Sequence, residues 1–147
     1  MAIVDRMWPV LNRLMSVHTT VYRATRGRIG HSFPGAPPML LLDHVGAKSG
    51  TKRTTPLLYV ADGDDVAIVA SKGGHPKHPA WFHNLRANPG TTIQIGSRRR
   101  AVHARVATPQ ERPRLWAMAV EAYGGYRGYQ ERAEREIPVV VLEPRTA

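Results

Sequence analysis

Apolar and polar positions along the chain change their period twice, and each change marks a change of element. Over residues 4–25, Val10, Leu11, Leu14, His18, Val21 and Tyr22 recur at three- and four-residue spacing, with Asn12, Arg13, Ser16, Thr19 and Arg23 mostly opposite. That period predicts an amphipathic helix. From Gly27 to Pro38 glycine and proline replace any period, which predicts a connector. Strand patterning then takes over. Met39–Val45 is a nearly continuous apolar run broken by Asp43. Residues 57–61 and 66–71 flank Asp62-Gly63-Asp64-Asp65, and residues 91–95 and 100–107 flank Gly96-Ser97; both arrangements predict hairpins. Residues 137–142 make a last strand.

Helices interrupt the strands. Pro79 to Asn88 has proline at a favoured first position and stops before Pro89. Thr108-Pro109-Gln110-Glu111 spaces a hydroxyl and a carboxylate as a capping box, so a helix is expected to start there and end at Gly124-Gly125. Pro113 should cost it one backbone bond. A polar helix is expected around residues 127–135. Six short strands joined mainly by tight turns predict a mainly β fold with flanking helices (α+β), a small barrel rather than a βαβ sheet. One domain is expected over 1–147: helix 1–26, connector 27–38, and barrel with helices 39–147.

Composition narrows the chemistry. A chain of 147 residues with 42% hydrophobic content supports one core. The absence of cysteine excludes disulfides and thiolate catalysis. No apolar run approaches bilayer length and no secretory pattern opens the chain, so a cytoplasmic protein is expected. Lys and Arg number 21 against 11 Asp and Glu, a net charge of +10. This favours anionic partners, although the excess of Arg over Lys also follows from GC-rich coding. Arg6, Arg13, Arg23, Arg26 and Arg28 on and after the first helix suit the inner face of an acidic membrane; packing on the barrel is the competing reading.

Four segments carry candidate chemistry. Gly46-Ala47-Lys48-Ser49-Gly50-Thr51-Lys52-Arg53-Thr54-Thr55-Pro56 gathers glycines, hydroxyls and three cations, which either cradle an anion or form a solvated hairpin loop. It is not a P-loop, because the order and the following helix are missing. Ala70-Ser71-Lys72-Gly73-Gly74 lets backbone approach a flat ligand, or simply turns. His75, His78 and His83 are broken by prolines and lack a carboxylate partner, so no metal is expected; Trp81 and Phe82 read as core. Tyr123, Tyr126 and Tyr129 around glycines suit a planar ligand or a structural corner. No nucleophile elbow and no paired carboxylates occur, so an enzyme of this sequence would leave its hard chemistry to a cofactor.

Taken in order, these motifs resemble the mycobacterial (actinobacterial) deazaflavin-dependent nitroreductase family, also described as F420H2-dependent quinone reductases. The resemblance rests on Gly46-x-Lys48-Ser49-Gly50, Arg53-x-x-Pro56-Leu57, Val69-Ala70-Ser71-Lys72-Gly73-Gly74, Pro79-x-Trp81-x-x-Asn84-Leu85-x-Ala87-Asn88-Pro89, Tyr126-x-x-Tyr129-Gln130 and Ile137-Pro138-Val139-Val140-Val141. It spans about two-thirds of the chain. It implies a split β-barrel of the FMN-binding-like kind, a monomer, and an oxidoreductase using non-covalent coenzyme F420, whose reduced form donates a hydride to a small-molecule acceptor: a quinone, an enone or a nitro compound.

By the same resemblance, coenzyme contacts fall on Ala47, Lys48, Ser49, Arg53, Thr54, Thr55, Pro56, Leu57, Leu58, Val69, Ala70, Ser71 and Lys72. They continue on Ala80, Trp81, Phe82, His83, Asn84 and Tyr126. Leu58, Tyr123, Tyr126 and Tyr129 fall on acceptor-pocket positions, and Ser71, Tyr126 and Tyr129 are the candidate catalytic donors. Ala47 stands where some members have arginine. Leu58 stands where the nitroimidazole-reducing member has tyrosine, which argues against that drug class. The coenzyme's phosphate and polyglutamate tail would account for the positive charge. Two other readings stay open: a basic barrel binding nucleic acid through Arg98-Arg99-Arg100, and a split barrel binding FMN or haem.

Overall fold

The structure is a computed structural model that describes residues 16–25, 38–74, 77–133 and 135–145. Its framework is a seven-stranded antiparallel sheet. The strands are β1 (Met39–Val45), β2 (Lys52–Leu58), β3 (Val60–Asp62), β4 (Asp65–Val69), β5 (Gly90–Ile95), β6 (Arg98–Val106) and β7 (Val139–Pro144), in spatial order β2-β1-β5-β6-β7-β4-β3. The two outer strands, β2 and β3, are consecutive in sequence and meet at Tyr59. One stretch of chain therefore spans both edges, curling the sheet into a split barrel and shielding edges that would otherwise be open for pairing.

This corrects the six expected strands. The stretch expected at 57–61 is two strands serving opposite edges, and the first begins at Lys52, inside the stretch read as a loop. Pairing to β1 in register (Leu42↔Thr55, His44↔Arg53) converts that polar run into a strand despite its weak apolar signal. The last strand runs Val139–Pro144 rather than 137–142; Pro138 has no N–H to give, and its carbonyl instead accepts from Ala70 N–H at 3.0 Å. The two glycine hairpins form as expected, pairing Asp62 with Asp65 and Ile95 with Arg98.

Alternation places Leu40, Leu42, Val66, Ile68, Ile93, Val102, Val140 and Leu142 inside the barrel, where α2 (Ala80–Ala87) contributes Trp81, Phe82 and Leu85. Burying each such aliphatic side chain contributes about 1.5–3 kcal/mol. Strands β4 and β7 are buried on both faces, which explains their unbroken apolar runs. Their outer residues Ala67, Val139 and Val141 pack against Leu115 of α3 (Arg112–Ala122), and Val69 packs with Tyr126 of α4 (Gly125–Arg132). Helix α4 starts and ends earlier than the expected 127–135; it is polar as expected, and Tyr126 is its one residue buried in this core.

The capping box closes reciprocally: Thr108 N–H donates to the Glu111 carboxylate at 2.9 Å, and Glu111 N–H to the Thr108 hydroxyl at 3.3 Å. Pro113 cannot donate to the carbonyl of Pro109, so residues 109–111 form a turn and the regular helix begins at Arg112.

Residues 16–24 are helical (α1) and rest on the barrel. Tyr22 is fully buried; its hydroxyl donates to the Met39 carbonyl at 3.0 Å and accepts from Gly96 N–H at 2.8 Å. Arg23 reaches Asp43 at 3.1 Å. This end of the helix thus spends its anchoring groups on the barrel, while Arg6, Arg13, Arg26 and Arg28 lie outside the described residues. Among the described residues no helix is long and apolar enough to cross a membrane.

Candidate functional site

A groove of about 550 Å³ opens where β2, the end of β4, the start of α2 and the α3–α4 corner converge. Arg53, Thr54, Thr55, Pro56, Leu57 and Leu58 line it from β2, and Val69, Ser71 and Lys72 from the end of β4 and the turn after it. Ala80 and Trp81 line it from the start of α2, and Tyr123, Tyr126 and Tyr129 add a tyrosine wall. None of the lining residues is acidic, whereas Arg53 and Lys72 are cationic. The site is therefore suited to an anionic ligand with an apolar, flat portion.

The Lys72 edge is held under backbone strain. Lys72 has φ +46°, in the left-handed region that costs an L-residue about 1–2 kcal/mol. Its single turn of 3-10 helix (Lys72–Gly74) is fixed from two sides. Arg135 donates to the carbonyls of Ala70 and Ser71 at 3.1 and 3.0 Å, and Gln130 holds the Arg135 carbonyl at 2.8 Å. Both bonds come from one guanidinium nitrogen, Nη2, which also lies 3.4 Å from the Lys77 carbonyl. Burial of Arg135 lowers its pKa, and these carbonyls offset part of that desolvation.

On the tyrosine wall the Tyr123 and Tyr129 hydroxyls are 3.0 Å apart, and the Tyr126 ring meets that of Tyr123 edge-on at 5.1 Å. Burial raises the phenol of Tyr129 to about 12 and that of Tyr126 further. At neutral pH both keep their protons, and within the Tyr123–Tyr129 pair either hydroxyl can be the donor.

A buried polar chain supports the β2 wall. Ala47 N–H donates to Asn84 Oδ1 at 2.9 Å; Asn84 Nδ2 meets His44 Nδ1 at 2.9 Å; His44 Nε2 meets Thr55 Oγ1 at 2.8 Å. Only 5% of His44 is exposed, and burial followed by the nearby Arg53 charge lowers its pKa to about 4 despite the opposing pull of Asp43.

The expected residues separate by geometry. Arg53 to Leu58, Val69, Ser71, Lys72, Ala80, Trp81 and the three tyrosines all converge on the groove. Ala47, Lys48 and Ser49 lie on an exposed turn outside the lining, tied to α2 through Asn84. Ala70 and Phe82 are core, and His83 faces outward, because a helix shows only part of its circumference to one groove. His44, Met39, Pro79 and Ser16 line the groove without having been singled out. Position gave a signal for His44: it is the polar residue in step with Leu40 and Leu42 on the inner face of β1. His78 and His83 rings lie 5.7 Å apart, and His75 lies outside the described residues. Among the described residues no group of three His, Cys, Asp or Glu side chains is placed to hold a metal ion. In the basic hairpin, Arg99 binds Asp43 at 3.2 Å and Arg100 donates to the Asp64 carbonyl at 2.7 Å, so two of its three arginines serve the fold.

A profile of the F420H(2)-dependent quinone reductase family matches residues 14–144. An F420H(2)-dependent quinone reductase of Mycobacterium tuberculosis is 49% identical over 136 residues, covering 90% of this chain and 91% of the relative. The solved structure of an F420-H2 dependent reductase is similar with a TM-score of 0.67 and 45% identity, over 72% of this chain and 94% of that one. A structure described as a domain-swapped dimer gives a TM-score of 0.69 at 39% identity, over 87% of this chain and 96% of that one. HutZ, a haem storage protein of Vibrio cholerae, shares the fold alone, with a TM-score of 0.57 at 15% identity over 74% of this chain and 82% of that one.

Proposed function

We propose, because this chain belongs to the F420H(2)-dependent quinone reductase family and is an F420-dependent oxidoreductase, that its groove holds the reduced deazaflavin non-covalently beside a quinone. One observation carries the reading: a groove with cations at its rim, hydroxyl donors along its side, a tyrosine wall and no acidic residue in its lining. That donor set fits a flat ring joined to a phosphorylated, carboxylate-bearing tail.

When bound, the reduced coenzyme supplies the hydride. The chain's own groups do the rest. Lys72 and Arg53 hold anionic parts; charge-assisted hydrogen bonds contribute about 1.5–3 kcal/mol each, a large share of the ~8 kcal/mol of a micromolar complex. Leu57, Leu58 and Val69 exclude water from the reacting faces and hold them at near-attack separation. As negative charge develops on the acceptor oxygen, Ser71, Tyr126 or Tyr129 donates a hydrogen bond to it, and one of them or a water delivers the proton. Enones and nitro compounds develop charge on the same kind of atom, so they belong to the acceptor range we propose. We propose a monomer as the working unit; light scattering checks it.

Mixing the protein with reduced coenzyme and menadione should restore the absorbance of the oxidised coenzyme. No saturable complex with the coenzyme at moderate salt would refute the assignment.

A further inference from the structure

The polar chain behind the β2 wall has a direction, and that direction is set by its first member. A backbone N–H can only donate, so the Ala47 contact at 2.9 Å fixes the oxygen of the Asn84 amide towards the turn. The other end of that amide is then NH₂, which can only donate, and it faces His44 Nδ1 at 2.9 Å. Nδ1 must therefore be the unprotonated, accepting nitrogen. A neutral imidazole with Nδ1 bare carries its proton on Nε2, which lies 2.8 Å from Thr55 Oγ1. Thr55 thus accepts from the histidine, and its own proton is left for a further acceptor. Thr55 lines the groove.

We propose that this relay leaves the Thr55 hydroxyl proton to be donated into the groove, to a carbonyl or anionic acceptor atom of the ligand there. His44 and Asn84 act as positioning residues that fix its polarity. The neighbouring hydroxyl shows the contrast: Thr54 donates to the Asp43 carboxylate at 2.7 Å, so its proton is spent within the protein. The relay also accounts for Asn84. Only 7% of it is exposed, and both ends of its amide are taken up by the Ala47 N–H and His44 Nδ1. A protonated His44 would set N–H against N–H at Asn84. The low histidine pKa agrees with that exclusion.

The proposal rests on the assignment of the groove to coenzyme and acceptor, and two measurements keep the two ideas separable. Long-range ¹H–¹⁵N correlation spectra of the ligand-free protein should show His44 neutral at pH 7, with a protonated Nε2 and a bare Nδ1, assigned by the peak lost in His44→Gln. The reverse tautomer, or a charged ring, overturns the relay whatever the groove binds. Separately, Thr55→Val and Thr55→Ser are titrated with oxidised F420 and assayed for the KM of menadione. One neutral hydrogen bond corresponds to about a three- to tenfold change. A loss of that size in Thr55→Val, recovered in Thr55→Ser, is expected. If it falls on coenzyme affinity the acceptor atom is the coenzyme's; if only on the menadione KM, it is the quinone's. Wild-type binding with no change in either quantity for Thr55→Val overturns the donor role. A wild type that binds no coenzyme overturns the groove assignment instead, and the histidine spectrum then decides the relay.

Discussion

A β-carbon placed on Gly74 would stand 2.9 Å from the backbone carbonyl oxygen of Tyr129. The turn bearing Lys72 and the helix bearing Tyr126 and Tyr129 are thus in direct backbone contact, which ties the cationic rim to the tyrosine wall. Gly74 also has φ +80°, a conformation that glycine adopts without strain. Gly74→Ala is expected to lower the unfolding free energy by about 3 kcal/mol, from left-handed strain and from the clash together. Denaturant unfolding measures the loss, and coenzyme affinity should fall with it. A neutral effect would mean that turn and helix separate freely.

Gly125 protects the acceptor wall by a different contact. A β-carbon there would meet Tyr123 Cε2 and Cζ at 2.6 Å. The far edge of a tyrosine ring can yield where backbone cannot, so Gly125→Ala should cost about 1 kcal/mol or less while swinging Tyr123 away from Tyr129 and breaking their 3.0 Å contact. The KM for menadione should change severalfold with coenzyme affinity unchanged. Equal loss of both would place Tyr123 against the coenzyme.

Acid should weaken the fold through His44 before carboxylates titrate. Its folded pKa of about 4 lies below the ordinary value of 6.5, so the unfolded chain binds the proton more readily. Stability is then complete above pH 6.5 and falls as pH drops towards 4, by up to about 3 kcal/mol. His78 has a pKa lowered by burial and by Arg135, and it contributes to the same window. Comparing wild type with His44→Gln between pH 7 and 5 isolates the share of His44; parallel stability curves would contradict it.

The two candidate lysines should separate in binding. Lys72 lines the groove, whereas Lys48 sits on the exposed turn beyond it. Lys72→Ala is expected to weaken coenzyme affinity about tenfold or more, as for a lost charge-assisted bond. Lys48→Ala should cost only about two- to threefold, through longer-range attraction that added salt removes. Titration at low and high salt checks both. A larger loss at Lys48 would move the anionic tail onto that turn.

Much of this architecture is local and therefore legible in the residues. Met39–Val45 announces itself by composition, the hairpins at Gly63 and Gly96 by their turn residues, and the start of the α3 region by a capping box. These features depend on neighbours a few positions apart, the range over which hydrophobic period and turn chemistry act. The family motifs were legible for the same reason, as short strings in a fixed order.

Tertiary structure decided what those strings meet. Lys52–Leu58 became a strand because β1 offered it a partner, and at Tyr59 the chain crosses to the other edge of the curled sheet. His44 and Asn84 lie 40 positions apart, and Arg135 lies 65 from the Ala70 carbonyl that it holds. No local period encodes such pairings. They follow from strand order and register, which bring β2, the Lys72 turn and α4 around one groove, and from the cost of leaving a buried polar group without a partner.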